Sequence, residues 1–414
     1  MKTLLPVRWM LVAWLFVVSA IGYLDRVNIS IAGQSIEKEF HLTNVELGWI
    51  FSAFVLGYAL FQAPGGSIAD RLGPRLVLML GVIWWGIFTS LITVFSSGAP
   101  RLILLLIATR FLLGMGEAVI YPSSNCVVAA WIPSAERGIA NGVIFSGVGC
   151  GAALTPPLIT YLLIRHGWRS SFWASAALGL AAGVIWFLIA RDKPADHPWI
   201  SNSELAHIQS GLPPHHRAER LPWSSILSNF NIWLVTASYF CYGYAAYIFF
   251  SWFFIYLSSV RGLNLRESSY YTMLPFAAMA IGSPLGGWIS DLLTKSQGKR
   301  VGRCGVAAVG IGLSALFIAL GTQVDSARIA TLVLAAGAGA LYLSQSSFWS
   351  VSADIGGKSA GSVSGFMNMG GQFGGALTAS LTPAIAAHWG WTASFLVAAA
   401  LCALGSLLWT LVIL

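Results

Sequence analysis

The sequence predicts an all-α polytopic membrane protein, with twelve transmembrane helices in two pseudo-symmetric six-helix bundles. Of its 414 residues, 57% are hydrophobic and only 9% are charged, against about 25% charged in ordinary soluble proteins. The mean hydropathy is +0.74. Apolar segments that can span the roughly 30 Å hydrocarbon core of a bilayer recur along the chain, and part of the first half of the sequence is repeated in the second.

The apolar segments give the order of the predicted helices. They lie near residues 9–29, 46–69, 75–95, 101–130, 138–163, 170–190, 231–258, 268–293, 303–321, 327–353, 360–386 and 391–413. The first segment is expected to stay as a helix, because it is longer than a signal-peptide core and lacks a small-residue cleavage site. The polar stretch 191–229 predicts a cytoplasmic linker between an N-terminal bundle (1–190) and a C-terminal bundle (230–414).

Two motifs occur once in each half. APGGSIADRLG, which contains Asp70, matches PLGGWISDLLT, which contains Asp291, at an offset of 221 residues. GVIFSGVGCGAALT (142–155) matches GFMNMGGQFGGALT (365–378) at an offset of 223. Duplication of a six-helix unit is typical of transporters, whose substrate site lies near the membrane midplane between the repeats.

The net charge of +8 indicates membrane topology rather than nucleic-acid binding. With the N-terminus inside, Lys and Arg favour the cytoplasmic side by roughly two to one, as the positive-inside rule requires. Both termini are therefore expected in the cytoplasm. The histidines and cysteines lack metal-ligand spacing, and no phosphate-binding loop is found, so we expect no metal, no cofactor and no ATP drive.

Four charged residues interrupt the first and fourth apolar segments, namely Asp25, Arg26, Arg110 and Glu117. Each costs at least about 2.5–3.5 kcal/mol at the centre of a bilayer on insertion scales, which favours a functional role. Arg110 and Glu117 are seven residues apart and share a helix face, about 10.5 Å apart along the axis. Tyr121 continues that face. Adjacent Asp25 and Arg26 diverge, so one arrangement turns Arg26 into a central cavity and Asp25 towards the fourth helix and Arg110. The alternative is that all four only form structural salt bridges.

The second half offers neutral polar and aromatic residues where the first half has charges. They are Tyr244 and Tyr247 in the seventh segment, Gln345 and Trp349 in the tenth, and Asn368 and Gln372 in the eleventh. The last two pairs are spaced i, i+4 and share a face. Amides hydrogen-bond hydroxyl groups, and aromatic rings cover the apolar face of a sugar-like chain. For each of these residues, hydrogen bonding between helices is the alternative role.

Gly66, Asp70, Arg71, Gly73 and Arg75 resemble the loop signature of the major facilitator superfamily. The second copy keeps Gly287 and Asp291. The motifs LDRVNISIA, RFLLGMGEAVIYPSSN, AAWIPSAERGIANG and DKPADHPWISNSEL resemble its anion:cation symporter branch, and its bacterial sugar-acid permeases above all. The resemblance implies the major facilitator fold, with a gating role for the loop signature and Asp291 and with Tyr58 as a cavity residue. It also implies that the protein is a monomer and lies in a bacterial inner membrane.

The expected function is proton-coupled import of an organic anion, a sugar acid such as an aldonate, hexuronate or aldarate. Arg26 and Arg110 would bind the carboxylate, because a guanidinium can hold it with two parallel hydrogen bonds. Asp25 and Glu117 would carry the coupling proton. Two alternatives share the fold: a drug or metabolite exporter, and a sodium-coupled or uncoupled carboxylate carrier. A membrane enzyme or receptor would need a nucleophile, metal cluster or external domain that the sequence does not indicate.

Overall fold

The computed structural model describes residues 6–42, 44–212, 220–253, 256–263 and 265–413. Within these ranges every regular element is a helix. Outside them lie residues 1–5 and 43 of the predicted N-terminal bundle, 213–219 of the linker, and 254–255, 264 and 414 of the C-terminal bundle.

Six helices form the N-terminal bundle. They are α1 (Val7–Phe40), α2 (Asn44–Leu72), α3 (Pro74–Leu91), α4 (in two pieces, Leu102–Glu117 and Ile120–Trp131), α5 (Arg137–His166) and α6 (Trp168–Ile189). The predicted end of α1 near residue 29 is wrong, since the helix continues for eleven more residues. Hydropathy marks only the apolar part of a helix, and this extension ends in the charged stretch Glu37–Glu39.

The C-terminal bundle begins with α7 (Phe230–Ser251), α8 (Leu265–Gln297) and α9 (Val306–Gln323). Next comes Ala327–Leu411, the last of ten helical segments in the described chain that are long and apolar enough to cross a membrane. Its 85 residues would extend about 130 Å as one straight helix. The chain instead turns back at Gly357 (φ 51°) and Gly390 (φ 83°), left-handed conformations that glycine adopts readily.

These turns divide the segment into α10 (Ala327–Leu343 with Gln345–Gly356), α11 (360–389) and α12 (391–411). The described chain therefore has twelve membrane-crossing helices, as predicted.

The two bundles meet along two equivalent helix pairs, α2 with α11 and α5 with α8. A Cβ atom on Gly365 would collide with the carbonyl oxygen of Gln62, and one on Gly142 would lie 2.6 Å from that of Ser283. Only glycine allows such close backbone contact. The equivalence of Gly142 with Gly365 is the one that the sequence repeat predicts.

The linker contains two short helices, Asn202–Gly211 and Trp223–Ser228. Glu204 accepts hydrogen bonds of 3.0 Å from the backbone N–H groups of Val7 and Arg8, where the unsatisfied donors of a helix start attract a carboxylate. The linker therefore packs against the beginning of α1. Its predicted bounds, 191 and 229, remain a prediction.

Candidate transport site

A cavity of about 220 Å³ lies between α1, α2, α4 and α7. We call it the arginine cavity. Its lining consists of Tyr23, Arg26, Val27, Ile29, Phe51, Phe54, Val55, Arg110, Tyr247, Phe250 and Ser251. Both intramembrane arginines thus reach one cavity, although they come from different helices.

Arg26 is paired with Glu117 across α1 and α4. Its Nε donates to Glu117 Oε1 at 2.8 Å, and its Nη2 lies 2.8 Å from the same oxygen. The guanidinium carbon is also 4.0 Å from the ring centroid of Tyr58 and 4.9 Å from that of Tyr23. Glu117 is 2% exposed and Arg26 11%. The ion pair is therefore nearly dry, and its Arg26 side faces the cavity.

Arg110 is held differently. It is buried, and its guanidinium carbon lies 4.7 Å from the ring centroid of Phe54. Among the described residues it has neither an ion-pair partner nor a hydrogen-bond partner, and its Nε is buried without an acceptor. A buried donor left unpaired is unfavourable, so Arg110 is the guanidinium in this cavity that lacks an acceptor.

Asp25 forms no salt bridge with Arg110 among the described residues, although the two charges interact across the space between α1 and α4. Its Oδ2 instead accepts hydrogen bonds from Trp85 Nε1 (2.8 Å) and Thr89 Oγ1 (3.0 Å), both on α3. Residues adjacent on a helix diverge by about 100°. With Arg26 directed at Glu117 and the cavity, Asp25 is directed at α3. It is 1% exposed and does not line the cavity.

A second cavity, of about 40 Å³, lies deeper between the bundles. We call it the amide cavity, because Gln345, Asn368 and Gln372 line it together with a ring of aromatic residues. Tyr23, Tyr247 and Phe250 line both cavities. The predicted charged wall and amide wall therefore occur in adjoining cavities that share three aromatic side chains.

Most of the predicted neutral residues lie at this cavity. Tyr58, Tyr121 and Tyr247 line it, and Tyr121 is hydrogen-bonded to Ser19 on α1 at 2.9 Å. Trp349 lies behind the wall, its ring centroid 4.8 Å from that of Phe145.

Tyr244 is an exception among the predicted cavity residues. It is buried, lines neither cavity, and packs against α11, where its carbonyl accepts a 2.8 Å hydrogen bond from Thr378. Tyr247, which faces both cavities, lies three residues later and is offset from Tyr244 by about 60° around the helix.

The signature aspartates join the two bundles at one end of the molecule, which we call the closed end. Asp70 of α2 accepts hydrogen bonds from the backbone N–H groups of Gly361 (2.9 Å) and Ser362 (2.7 Å) at the start of α11. Asp291 of α8 accepts from Gly138 (2.9 Å) and Ile139 (2.7 Å) at the start of α5. Each carboxylate thus caps a helix of the other bundle, where the helix dipole favours negative charge.

The rest of the signature lies close by. A Cβ on Gly66 would meet the carbonyl oxygen of Gly361, so Gly66 permits the contact that Asp70 makes. Gly73 has φ 90° in the turn to α3. Arg75 stays within its own bundle, donating to the carbonyl of Phe187 at 2.9 Å, and Arg71 is exposed.

Several site residues were not predicted from the sequence. They are Tyr23, Gln62, Trp85, Thr89, Tyr239 and Phe250. Gln62 and Thr89 are polar residues inside apolar segments, a signal that could have selected them. The aromatic residues carry no such signal, because aromatic side chains are frequent throughout this chain.

The Major Facilitator Superfamily model matches residues 15–379. The chain belongs to the major facilitator superfamily. The fold agrees: a structure of the proton:xylose symporter XylE aligns with a TM-score of 0.78, covering 98% of this chain and 96% of that one, at 14% identity.

Curated relatives are transporters. A "Probable sulfoacetate transporter" of Cupriavidus necator is 35% identical, over 89% of this chain and 85% of the relative. The "Hexuronate transporter" of Bacillus subtilis is 30% identical, over 98% and 94%. The "Ascorbate transporter, chloroplastic" of Arabidopsis thaliana is 33% identical, over 98% and 75%. The predicted family is confirmed: this superfamily member is a membrane transporter and not an enzyme, and these three relatives are named for organic anions.

Proposed function

We propose that the protein is a proton-coupled symporter that imports an organic anion, with a sugar acid as its substrate class, across the bacterial inner membrane. The observation that carries the proposal is the contrast between the two arginines of one cavity. Arg26 is neutralised by Glu117 at 2.8 Å, whereas Arg110 has no acceptor among the described residues.

The charges of the site account for the coupling. Asp25, Arg26, Arg110 and Glu117 sum to zero when both acids are ionised. A proton on Glu117 removes the charge that holds Arg26 and leaves the site with one net positive charge. A carboxylate can then lie between Arg26 and Arg110 and accept two parallel hydrogen bonds from a guanidinium. Proton and anion therefore favour each other's binding, which is the thermodynamic requirement for symport.

Glu117 suits the proton better than Asp25 does. Two donors on α3 hold Asp25, whereas the only described hydrogen-bond partner of Glu117 is Arg26, which lines the arginine cavity. We therefore assign the coupling proton to Glu117, and to Asp25 the role of balancing Arg110.

The substrate class rests on the amide cavity. Three amides and several tyrosines line a cavity that adjoins the arginine cavity, which suits an acid that carries hydroxyl groups. Relatives named for hexuronate and for galactarate and D-glucarate support this choice. We place the closed end, and with it both termini, in the cytoplasm on the positive-inside rule.

Uptake into proteoliposomes tests the proposal. Labelled galactonate, glucuronate, glucarate and sulfoacetate are offered with an inward proton gradient, with an inward sodium gradient, or with neither. We expect at least one acid to accumulate only with the proton gradient. Accumulation driven by sodium alone would favour a sodium-coupled carrier. This alternative is specific, because one relative is named a sodium-dependent phosphate transport protein.

A further inference from the structure

Gln62 of α2 makes a side-chain hydrogen bond between the bundles at the level of the transport site. It is fully buried, and its Oε1 accepts a 2.9 Å hydrogen bond from Nδ2 of Asn368 on α11. The two helices are in backbone contact here, because Gly365 packs on the carbonyl oxygen of Gln62. The position of this acceptor is therefore fixed by helix packing.

The bond terminates a chain of donors that runs in one direction. The hydroxyl of Tyr247 donates to Gln372 Oε1 at 2.7 Å, and Gln372 Nε2 donates to Asn368 Oδ1 at 3.4 Å. Asn368 then donates to Gln62. An amide has its acceptor and its donor on opposite sides, so the acceptor at the end of the chain decides which side of each amide faces the amide cavity.

Gln62 also shares a helix face with Tyr58, one turn earlier. The ring of Tyr58 lies under the guanidinium of Arg26, 4.0 Å from its central carbon to the ring centroid. Helix α2 thus contacts the carboxylate-binding arginine through one residue and the amide wall through the other. Gln62 itself lines neither cavity.

We propose that Gln62 is a positioning residue for the hydroxyl-binding wall of the transport site: it orients the amides of Asn368 and Gln372 and does not contact the substrate. The inference rests on the proposed function. Loss of the acceptor lets both amides rotate, which weakens the binding of hydroxyl groups and leaves the carboxylate contacts intact.

Gln62→Met keeps the length of the side chain and removes the acceptor. We expect the KM for galactonate to rise about fivefold, the effect of about one hydrogen bond, with little change in Vmax. The KM for sulfoacetate, which has no hydroxyl group, should stay within a factor of two. The exchanged pair Gln62→Asn with Asn368→Gln restores an amide on each helix and should recover most of the affinity for galactonate.

Ser283→Ala is the matched control. Ser283 occupies the corresponding place on α8, where its carbonyl packs on Gly142, and its buried hydroxyl has no partner among the described residues. It should change neither KM. An equal rise of both KM values in Gln62→Met, or a fall in Vmax alone, would overturn the inference.

A wild-type protein that transports none of these acids would contradict the proposed function instead. The inference is then decided by thermal unfolding of Gln62→Met, Asn368→Leu and the double variant. Non-additive losses support the hydrogen bond between the bundles, and additive losses overturn it.

Discussion

The two bundles make the same contact at the closed end and differ in the middle of the membrane. Asp70 caps α11 through Gly361 and Ser362, and Asp291 caps α5 through Gly138 and Ile139. These residues match at the offsets of 221 and 223 that the sequence repeat gives. The closed end is therefore held by two equivalent contacts, one from each copy of the repeated unit.

In the middle of the membrane the helices still pack in equivalent ways, but the side chains at equivalent positions differ. Gly151 of α5 packs on the carbonyl of Ala20, and Gly374 of α11 packs on that of Phe240, which places α7 at an offset of 220 from α1. At this offset Asp25 and Arg26 correspond to Ala245 and Ala246. Because a buried charge is expensive in a membrane, the chain has charges in one copy and a neutral amide wall in the other. The repeat preserves the scaffold, while the binding chemistry is divided between the copies.

The closed end itself is not fully symmetric, because only one of its two aspartates has a described cationic partner. Replacing that aspartate should have the largest effect on stability. Asp291 is also paired with Arg303, which is fully buried, at 2.7 Å. Asp291→Asn should lower the free energy of unfolding by about 3–5 kcal/mol, because it leaves a buried cation uncompensated. Thermal unfolding in detergent measures the change, and adding Arg303→Met should recover part of it. An unchanged free energy of unfolding in Asp291→Asn would show that the ion pair does not stabilise the protein.

Replacing Arg110 tests whether its free guanidinium binds the substrate. Arg110→Lys keeps the charge and loses the planar fork, so uptake of the transported acid should fall about tenfold or more. The control is Arg169→Lys, since Arg169 is a half-buried arginine that pairs with Glu39 outside the site. Equal uptake by both variants would remove Arg110 from the site.

Asp70→Asn should have a smaller effect than Asp291→Asn. Among the described residues the partners of Asp70 are Gly361, Ser362 and Cys126, whose Sγ donates at 3.3 Å, and none of them is a cation. A weakened cap costs about 1 kcal/mol, or about a fivefold shift towards opening of the closed end. Thermal unfolding of Asp70→Asn in detergent, run beside Asp291→Asn, measures the difference. A loss of stability in Asp70→Asn as large as that in Asp291→Asn, or no loss at all, would contradict this prediction.

The smallest effect concerns the opposite end of the N-terminal bundle. Hydrogen bonds from Arg169 lower the pKa of Glu39 below its usual range. The pair therefore adds stability above the usual pKa of a glutamate, and this stability is lost as the pH falls through the lowered value. Since both side chains are more than one-third exposed, the gain is below about 1 kcal/mol. Unfolding midpoints of Glu39→Gln and wild type should differ at pH 7 and converge as the pH falls through the lowered pKa of Glu39.

Much of the fold could be predicted because lipid makes a strong demand on sequence. Each crossing needs about twenty apolar residues, so hydropathy located the helices and the repeat gave the two bundles. Hydropathy could not show that α1 continues to Phe40, or that α4 breaks between Glu117 and Ile120. Both features depend on contacts outside the lipid-facing surface.

The site was predictable in its composition but not in its pairing. The charges of α1 and α4 are conspicuous in apolar segments. Glu117 pairs with Arg26, and Asp25 bonds to Trp85 and Thr89. These pairings depend on how α1, α3 and α4 are rotated against one another. Hydrophobic pattern constrains such rotations weakly when every face of a helix is apolar.

The most direct test of the account is whether the proton on Glu117 releases Arg26 for the substrate. Glu117→Gln, wild type and Glu39→Gln are reconstituted together and assayed for exchange of labelled acid and for accumulation under an inward proton gradient. We predict that Glu117→Gln exchanges the acid but no longer accumulates it, while Glu39→Gln does both. Accumulation by Glu117→Gln at the wild-type level, driven by the same gradient, would contradict it.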